Sequence, residues 1–96
     1  MRVRYTRRAR SDLAEIFAYI AADNPEAAKQ VARAIGHSIG LVAARPLVGI
    51  RNIRDPDIRS KLVARYRYRI HYSIRRDEIV ILAVWHTSRR AFENEP

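Results

Sequence analysis

The sequence has 96 residues, 48% of them apolar, which predicts one globular domain with a buried core and excludes a disordered chain. It has no cysteine, which excludes disulfide bonds, a thiolate metal site and a cysteine nucleophile. Its 19 lysines and arginines against 10 acidic residues give a net charge of +9, which favours nucleic acid, the ribosome or an acidic protein as partner.

A short strand and two helices are predicted first along the chain. Val3 and Tyr5 alternate with arginines, which is the period-two pattern of a strand, and Thr6 can cap a helix that follows. The apolar residues of that helix recur at helical spacing: Ala9, Leu13, Ile16, Phe17 and Ile20. Asn24 as an N-cap and Pro25 at the first helical position predict the start of a second helix.

The second helix is expected to run to about residue 44. Its apolar positions are Ala28, Val31, Ile35, Ile39 and Val42. Because the connection at Asn24 is so short, the two helices should form an antiparallel hairpin. Gly36 and Gly40 lie four residues apart, which indicates either close packing against a neighbouring helix or a tolerated weakening of this one.

The second half of the chain predicts a sheet. Residues 45–57 contain two prolines and a glycine and are interpreted as an irregular connection. Strands are predicted at residues 59–64, 68–74 and 79–85, with a turn at residues 75–77. The last of these is apolar on both faces, as expected of a central strand. The result is an α+β fold of order β-α-α-β-β-β, in which the antiparallel helical hairpin packs on one face of a mostly antiparallel sheet.

The middle strand of the three has two chemically different faces. Ile70, Tyr72 and Ile74 should face the helices, while Arg69, His71 and Ser73 should face away. Residues from about 89 onward are expected to form a loose tail of this single domain, which spans residues 1–96.

Two features bear on localisation. Residues 1–6 lead directly into charged side chains and lack the apolar core of a signal peptide. The longest apolar run, residues 79–85, is too short to span a bilayer. We therefore expect a soluble, cytoplasmic protein.

A group of basic residues in and after the strands is the candidate functional cluster. Its members are Arg65, Arg67, Arg69, His71, His86, Arg89 and Arg90. Cleavage of RNA by its 2′-hydroxyl needs a base, an acid and cations that hold the developing negative charge, and histidine and arginine can supply all three. The same residue types also suit the solvent-exposed face of a sheet, so the residue pattern alone leaves both interpretations open.

The histidines show no metal-binding pattern. His37, His71 and His86 have no metal-ligand spacing, so we expect neither a metal nor another cofactor. His37 lies within the second helix and is expected at the surface.

Four segments follow one another in a recognisable order. They are residues 12–28, DLAEIFAYIAADNPEAA; residues 46–49, a Pro-x-x-Gly loop; residues 66–72, YRYRIHY; and residues 81–89, ending in Val-x-His-x-x-Arg. They resemble the first helix and hairpin turn, a loop, the aromatic middle strand and the final strand of toxins of the ParE/RelE superfamily. The resemblance covers nearly the whole chain.

The resemblance implies a toxin of a type II toxin–antitoxin system of the plasmid-stabilisation type. Such a toxin inhibits growth unless its acidic antitoxin neutralises it. Characterised ParE members poison DNA gyrase, whereas RelE members are ribosome-dependent mRNA endonucleases. Both branches therefore define hypotheses for the target of this chain: gyrase, or the ribosome with its mRNA.

Several residues distinguish the two branches. Arg69 matches the position of a functional arginine in the RelE branch, which also has lysines in the loop before the strands and a tyrosine near the C-terminus. Here that loop has Arg51 and Arg54 but no lysine, and no tyrosine follows Tyr72. His86 occupies the place of the ParE histidine, but RelE relatives also carry a histidine nearby, so His86 does not separate the branches; the missing loop lysines and the missing late tyrosine do. These differences favour the ParE branch and a toxin that is not an enzyme.

Two alternatives complete the functional hypotheses. An mRNA endonuclease would use Arg69, His86 and Arg89 for catalysis. A basic binding domain without toxic activity is the other. Whatever the target, it is expected to bind the basic cluster of residues 65–71, 86 and 89–90.

The antitoxin is expected to bind the first helix and the hairpin. The residues assigned to this surface are Arg7, Arg8, Arg10, Phe17 and Tyr19. The three arginines crowd the positive end of the helix dipole, which costs stability unless an anion compensates. Phe17 and Tyr19 lie on different faces of the helix, so at least one of them should be exposed. We expect an acidic antitoxin segment that becomes ordered on binding.

Overall fold

The computed structural model describes residues 1–88, which form two helices packed on one five-stranded sheet. In chain order the elements are β1 (Arg2–Tyr5), α1 (Arg7–Asp23), α2 (Pro25–Ala44), a 3₁₀ turn (Pro46–Val48), β2 (Ile50–Arg51), β3 (Ile58–Val63), β4 (Tyr68–Arg75) and β5 (Glu78–His86). The predicted α+β fold is confirmed. None of the helices within residues 1–88 combines the length and apolar character needed to cross a membrane.

The predicted helix boundaries are confirmed by their caps. The Thr6 hydroxyl accepts a hydrogen bond from the Ala9 N–H at 3.0 Å, at the start of α1. The Asn24 side chain accepts one from the Ala27 N–H at 3.1 Å, at the start of α2. Because Asn24 alone separates the helices, α2 folds back along α1 as predicted.

The sheet has the strand order β1-β5-β4-β3-β2. β1 pairs with β5 in parallel, and all the other pairs are antiparallel. β5 is therefore an interior strand with a neighbour on each side, which is consistent with its apolar residues on both faces. The interpretation of residues 45–57 as an irregular connection is wrong in part, because they contain the 3₁₀ turn and the edge strand β2. A two-residue strand is too short for its alternation to be seen in the sequence.

The core lies between the helices and one face of the sheet. The helices contribute Ala9, Val31, Ile35, Ile39 and Val42, and the sheet contributes Val63, Ile70, Tyr72, Ile79, Ile81 and Val84. The opposite face, which we call the open face, carries His71 and Ser73 on β4, as predicted. On the open face the β4 side chains are also shielded, since Ser73 is buried and Arg69 and His71 are half-buried.

A β-bulge in β5 changes the alternation of its side chains. His71 pairs with Ala83, but the next residue, Tyr72, pairs with Ile81, so Leu82 is an extra residue in β5. Before the bulge the odd-numbered residues Ile79 and Ile81 face the helices. After the bulge the even-numbered residue Val84 faces them instead. This shift decides which face each residue at the end of β5 occupies.

The glycines of α2 do not make close helix contacts. A Cβ atom built at Gly36 or Gly40 meets nothing within 4 Å among the described residues, and both residues are exposed. The close-packing interpretation is therefore wrong, and the two glycines only weaken the helix.

We expect Gly36→Ala and Gly40→Ala each to raise the free energy of unfolding by about 0.5–1 kcal/mol, because alanine restricts the unfolded chain and has a higher helix propensity. Chemical denaturation monitored by circular dichroism measures this. A loss of stability in either variant would show that the position is packed after all.

Candidate functional site

Arg69 and His71 lie on the open face, as the sequence predicts. Arg69 pairs with Trp85 across β4 and β5, and its guanidinium donates a hydrogen bond to the Ser60 hydroxyl at 3.2 Å. The side chain of Arg69 is half-buried and held against β3. It can contribute a fixed positive charge to this face.

His71 is enclosed on the same face. Its ring packs against the Trp85 ring with centroids 4.4 Å apart. Its Nε2 is buried and has no hydrogen-bond partner within residues 1–88. Burial, together with the positive charges of Arg69 and Arg8, lowers the pKa of His71 to about 4, while Asp12 acts in the opposite direction. His71 is therefore largely neutral at pH 7, which makes it a poor general acid.

The depressed pKa of His71 predicts a pH-dependent stability. The unfolded chain takes up a proton near pH 6.5 but the folded chain only near pH 4, so the contribution of the neutral ring is complete above pH 6.5 and is lost as the pH falls toward 4. The full difference between the unfolded and folded pKa of His71 corresponds to at most about 3 kcal/mol of free energy of unfolding. Because the residue is partly exposed, we expect the stability to fall by only about 1–2 kcal/mol.

His71→Phe should keep the ring contact with Trp85 and remove this slope. Urea titrations of both proteins between pH 7 and pH 4 measure how the free energy of unfolding depends on pH. Because the two proteins have the same carboxylates, the difference between their slopes reports His71 alone. Identical slopes would contradict the assignment to His71.

His86 lies on the other face of the sheet. It pairs with Tyr68, and the two rings meet edge-on with centroids 5.1 Å apart. The Ser88 N–H donates to Nδ1 of His86 at 3.0 Å, so the neutral ring carries its proton on Nε2. Burial raises the pKa of Tyr68, and the neighbouring Tyr19 raises it further. The Tyr68 hydroxyl is thus un-ionised beside His86.

The structure does not bring the predicted basic cluster together. Arg69 and His71 are on the open face, whereas His86 is on the helix face. The cause is the Leu82 bulge: an uninterrupted strand would have placed His86 on the open face, together with Val80, Arg69 and His71.

The remaining members of the cluster lie elsewhere or outside the described residues. Arg65 and Arg67 are exposed in the turn between β3 and β4. Arg67 has a φ of 62°, the left-handed conformation, and its carbonyl accepts a hydrogen bond from the Thr87 N–H at 2.7 Å. Arg89 and Arg90, and the tail predicted from residue 89, lie outside the described residues.

The start of α1 is joined to β5 by a network that the sequence patterns did not predict. The buried carboxylate of Asp12 accepts a hydrogen bond from the Val84 N–H at 2.9 Å and lies 3.4 Å from Nε of Arg8. The Arg8 guanidinium lies over the Trp85 ring, 5.0 Å from its centroid. β1 pairs with β5 only as far as Ile81, so Asp12 occupies the strand edge that β1 leaves open.

Of the residues predicted to bind the antitoxin, four are exposed and one is not. Arg7, Arg8 and Arg10 are exposed, and Tyr19 is 84% exposed, whereas Phe17 packs against the core. Tyr19 stands at the rim of an open groove of about 580 Å³ between α1 and the ends of β4 and β5. The groove is lined by Asp12, Glu15, Ile16, Tyr19, Tyr68, Val84, Trp85, His86 and Ser88. His86 therefore lies in the groove beside α1, on the face of the sheet opposite to Arg69.

No metal-binding group is found in the described part of the chain. Among residues 1–88, no three His, Asp or Glu side chains lie close enough together to hold a metal ion. His37 is exposed on α2, as predicted.

Fold and composition together define a small basic α+β domain. The fold is shared with a chain of the solved structure "Chromosomal ParDE TA system from P. aeruginosa", with a TM-score of 0.76 and 24% identity over 90% of this chain and 95% of that one. The chain is 39% identical to a Sinorhizobium fredii protein named "Putative toxin Y4kP" over 89 residues, 93% of this chain and 91% of that protein.

The family model for the ParE toxin of the type II toxin–antitoxin system parDE matches residues 3–91. This chain belongs to the ParE toxin family.

Proposed function

We propose that this ParE-type toxin is held inactive by a cognate acidic antitoxin and, when released, inhibits DNA gyrase by binding it rather than by catalysing a reaction. Membership of the ParE family supports a toxin of a type II system. The similar Pseudomonas chain comes from a ParDE toxin–antitoxin system, which supports a partner antitoxin here. Because gyrase acts on DNA inside the cell, the proposal places the toxin in the cytoplasm.

The separation of Arg69 from His86 carries the non-enzymatic part of the proposal. An endonuclease that used both would need them on one scissile phosphate, and they point to opposite faces of the sheet. His71, on the same face as Arg69, is neutral and packed against Trp85. A binding surface has no such requirement, since separated cations can contact a large partner independently.

The proposed antitoxin surface combines the positive end of α1 with the groove beside it. Arg7, Arg8 and Arg10 are exposed at the start of α1, which has no acidic residue in its first turn. Tyr19 offers an exposed aromatic ring at the groove. Such a surface suits an acidic segment with apolar anchors, which would compensate the crowded charge.

The experiment measures which process stops first. Toxin induced without antitoxin should block DNA replication and trigger the DNA-damage response before translation falls, and the purified protein should inhibit supercoiling by gyrase. Early arrest of translation with cuts in ribosome-bound mRNA would support the endonuclease instead. Toxin that is harmless when induced alone would point to the inactive binding domain.

Arg69→Ala separates the two mechanisms further. A gyrase inhibitor should lose less than about tenfold in potency, because single contacts in a large interface are seldom dominant. An endonuclease that holds transition-state charge with Arg69 should lose on the order of 100-fold or more in rate. Circular dichroism should show that the variant is folded. Codon-positioned mRNA cleavage that disappears in folded Arg69→Ala protein would overturn the gyrase proposal.

A further inference from the structure

An apolar surface that none of the preceding functions uses surrounds the edge strand β2. We call it the β2 patch; its members are Leu47, Val48, Ile50 and Ile53, which are 70%, 44%, 67% and 98% exposed. All four lie within residues 47–53, so they share one region of the surface. Exposed apolar side chains gathered in this way are typical of an interaction site rather than of scattered surface residues.

The tip of the patch is held in place by a turn. The Asn52 side-chain oxygen accepts hydrogen bonds from the Arg54 and Asp55 N–H groups at 2.8 and 2.9 Å. The backbone around Ile53 is therefore ordered although its side chain makes almost no contact. An anchor that is fixed before binding loses little entropy when a partner covers it.

The backbone of β2 offers hydrogen bonds to a partner. The Asn52 N–H donates inward to the Ile58 carbonyl at 2.8 Å, so the N–H and carbonyl of the preceding residue, Arg51, point away from β3. Within residues 1–88 no strand lies beyond β2 in the sheet. An extended segment can add itself at such an edge.

Charge decides between the candidate occupants. Arg45, Arg51 and Arg54 are exposed around the patch, while Asp55 and Asp57 offset part of their charge. A second copy of this chain would approach with the same net charge of +9, and like charges repel. An acidic segment avoids this repulsion and pairs with the arginines around the patch.

We infer that the β2 patch docks an extended segment of the cognate antitoxin, as a strand added beside β2. The inference rests on the proposed function, which supplies the acidic antitoxin. The segment carries apolar residues that cover Ile50 and Ile53 and acidic residues within reach of Arg51 and Arg54. This contact lies apart from the one proposed at α1, so a single antitoxin chain would hold the toxin at two places.

Binding of the full-length antitoxin encoded beside the toxin gene tests the inference. The variants are Ile50→Ser with Ile53→Ser, which removes the apolar anchors, and Arg51→Glu with Arg54→Glu, which reverses the charge. Arg75→Glu with Arg76→Glu is the matched control, because it reverses two exposed arginines, one at the end of β4 and one in the turn that follows. Calorimetry measures the dissociation constant, and melting temperatures verify the fold of each variant.

Each β2-patch variant should weaken binding by about tenfold or more, and the control by less than about threefold. Hydrogen exchange at the Arg51 amide should slow in the complex. Equal affinity of wild type and both patch variants would overturn the docking site and leave the proposed function intact. Lost gyrase inhibition with unchanged antitoxin binding would assign the patch to the target and overturn the inference too. Failure of wild-type toxin to bind the antitoxin would instead refute the proposed function.

Discussion

Asp12→Ala should lower the free energy of unfolding by about 2–3 kcal/mol. The substitution leaves the buried Val84 N–H without its acceptor, and an unsatisfied buried donor costs about 1–3 kcal/mol. It also removes the partner of Arg8, which adds less because that side chain is exposed. For a domain of this size the loss corresponds to a fall in melting temperature of roughly 10–20 °C, which calorimetry measures.

Two variants serve as controls for Asp12. Asp12→Asn keeps an oxygen that can accept from Val84 and should recover about half of the loss, since only the charge is removed. Glu15→Ala, one turn further along the exposed side of α1, should change stability by no more than about 0.5 kcal/mol. Equal melting temperatures for wild type and Asp12→Ala would show that Val84 does not depend on the carboxylate.

The fold was predictable where local chemistry determines it. Thr6 and Asn24 cap their helices at the expected positions because a side-chain oxygen next to an apolar periodic run has few other roles. The assignment of Ile70 and Tyr72 to the core and His71 to the open face follows from the period of two. These features depend only on residues close together in the chain.

The arrangement of the site depends on contacts that the sequence does not encode locally. The extra residue Leu82 moves His86 away from Arg69 and His71, and a bulge in a strand that is apolar on both faces leaves no trace in its alternation. The role of Asp12 could not be predicted from the helix pattern, because its partner Val84 lies in the part of β5 that extends beyond β1. The exposure of Ile50 and Ile53 was not predicted, because both lie in residues 45–57, which the sequence pattern indicates only as an irregular connection.

The Pro-x-x-Gly loop of the family resemblance has a structural cause. The Gly49 N–H donates to the Tyr72 hydroxyl at 2.9 Å, and that hydroxyl donates to the Pro46 carbonyl at 2.7 Å. Tyr72 is fully buried in β4, and burial raises its pKa, so the hydroxyl stays protonated. The motif thus fastens the chain after α2 onto the middle of the sheet, immediately before the β2 patch.

Gly49→Ala should lower the free energy of unfolding by about 3 kcal/mol or more. A Cβ at this position would lie 2.5 Å from the Tyr72 hydroxyl and 2.8 Å from the Ser60 carbonyl oxygen, and neither can move without disturbing the sheet. Overpacking of this kind costs about 1–3 kcal/mol, and displacing the hydroxyl adds the loss of its two hydrogen bonds. The cause is space and not backbone conformation, because Gly49 has a φ of −75°, which alanine adopts freely.

A double-mutant cycle with Tyr72→Phe separates the two contributions. Tyr72→Phe should cost about 1–2 kcal/mol by itself, since it leaves the Gly49 N–H without its acceptor. In that background Gly49→Ala should cost at least about 1 kcal/mol less than in wild type, because the closest contact is gone. Gly40→Ala is the matched control and should stabilise the protein. Denaturant titrations measure all four states, and additive effects of the two substitutions would show that Gly49 is required for a reason other than the Tyr72 hydroxyl.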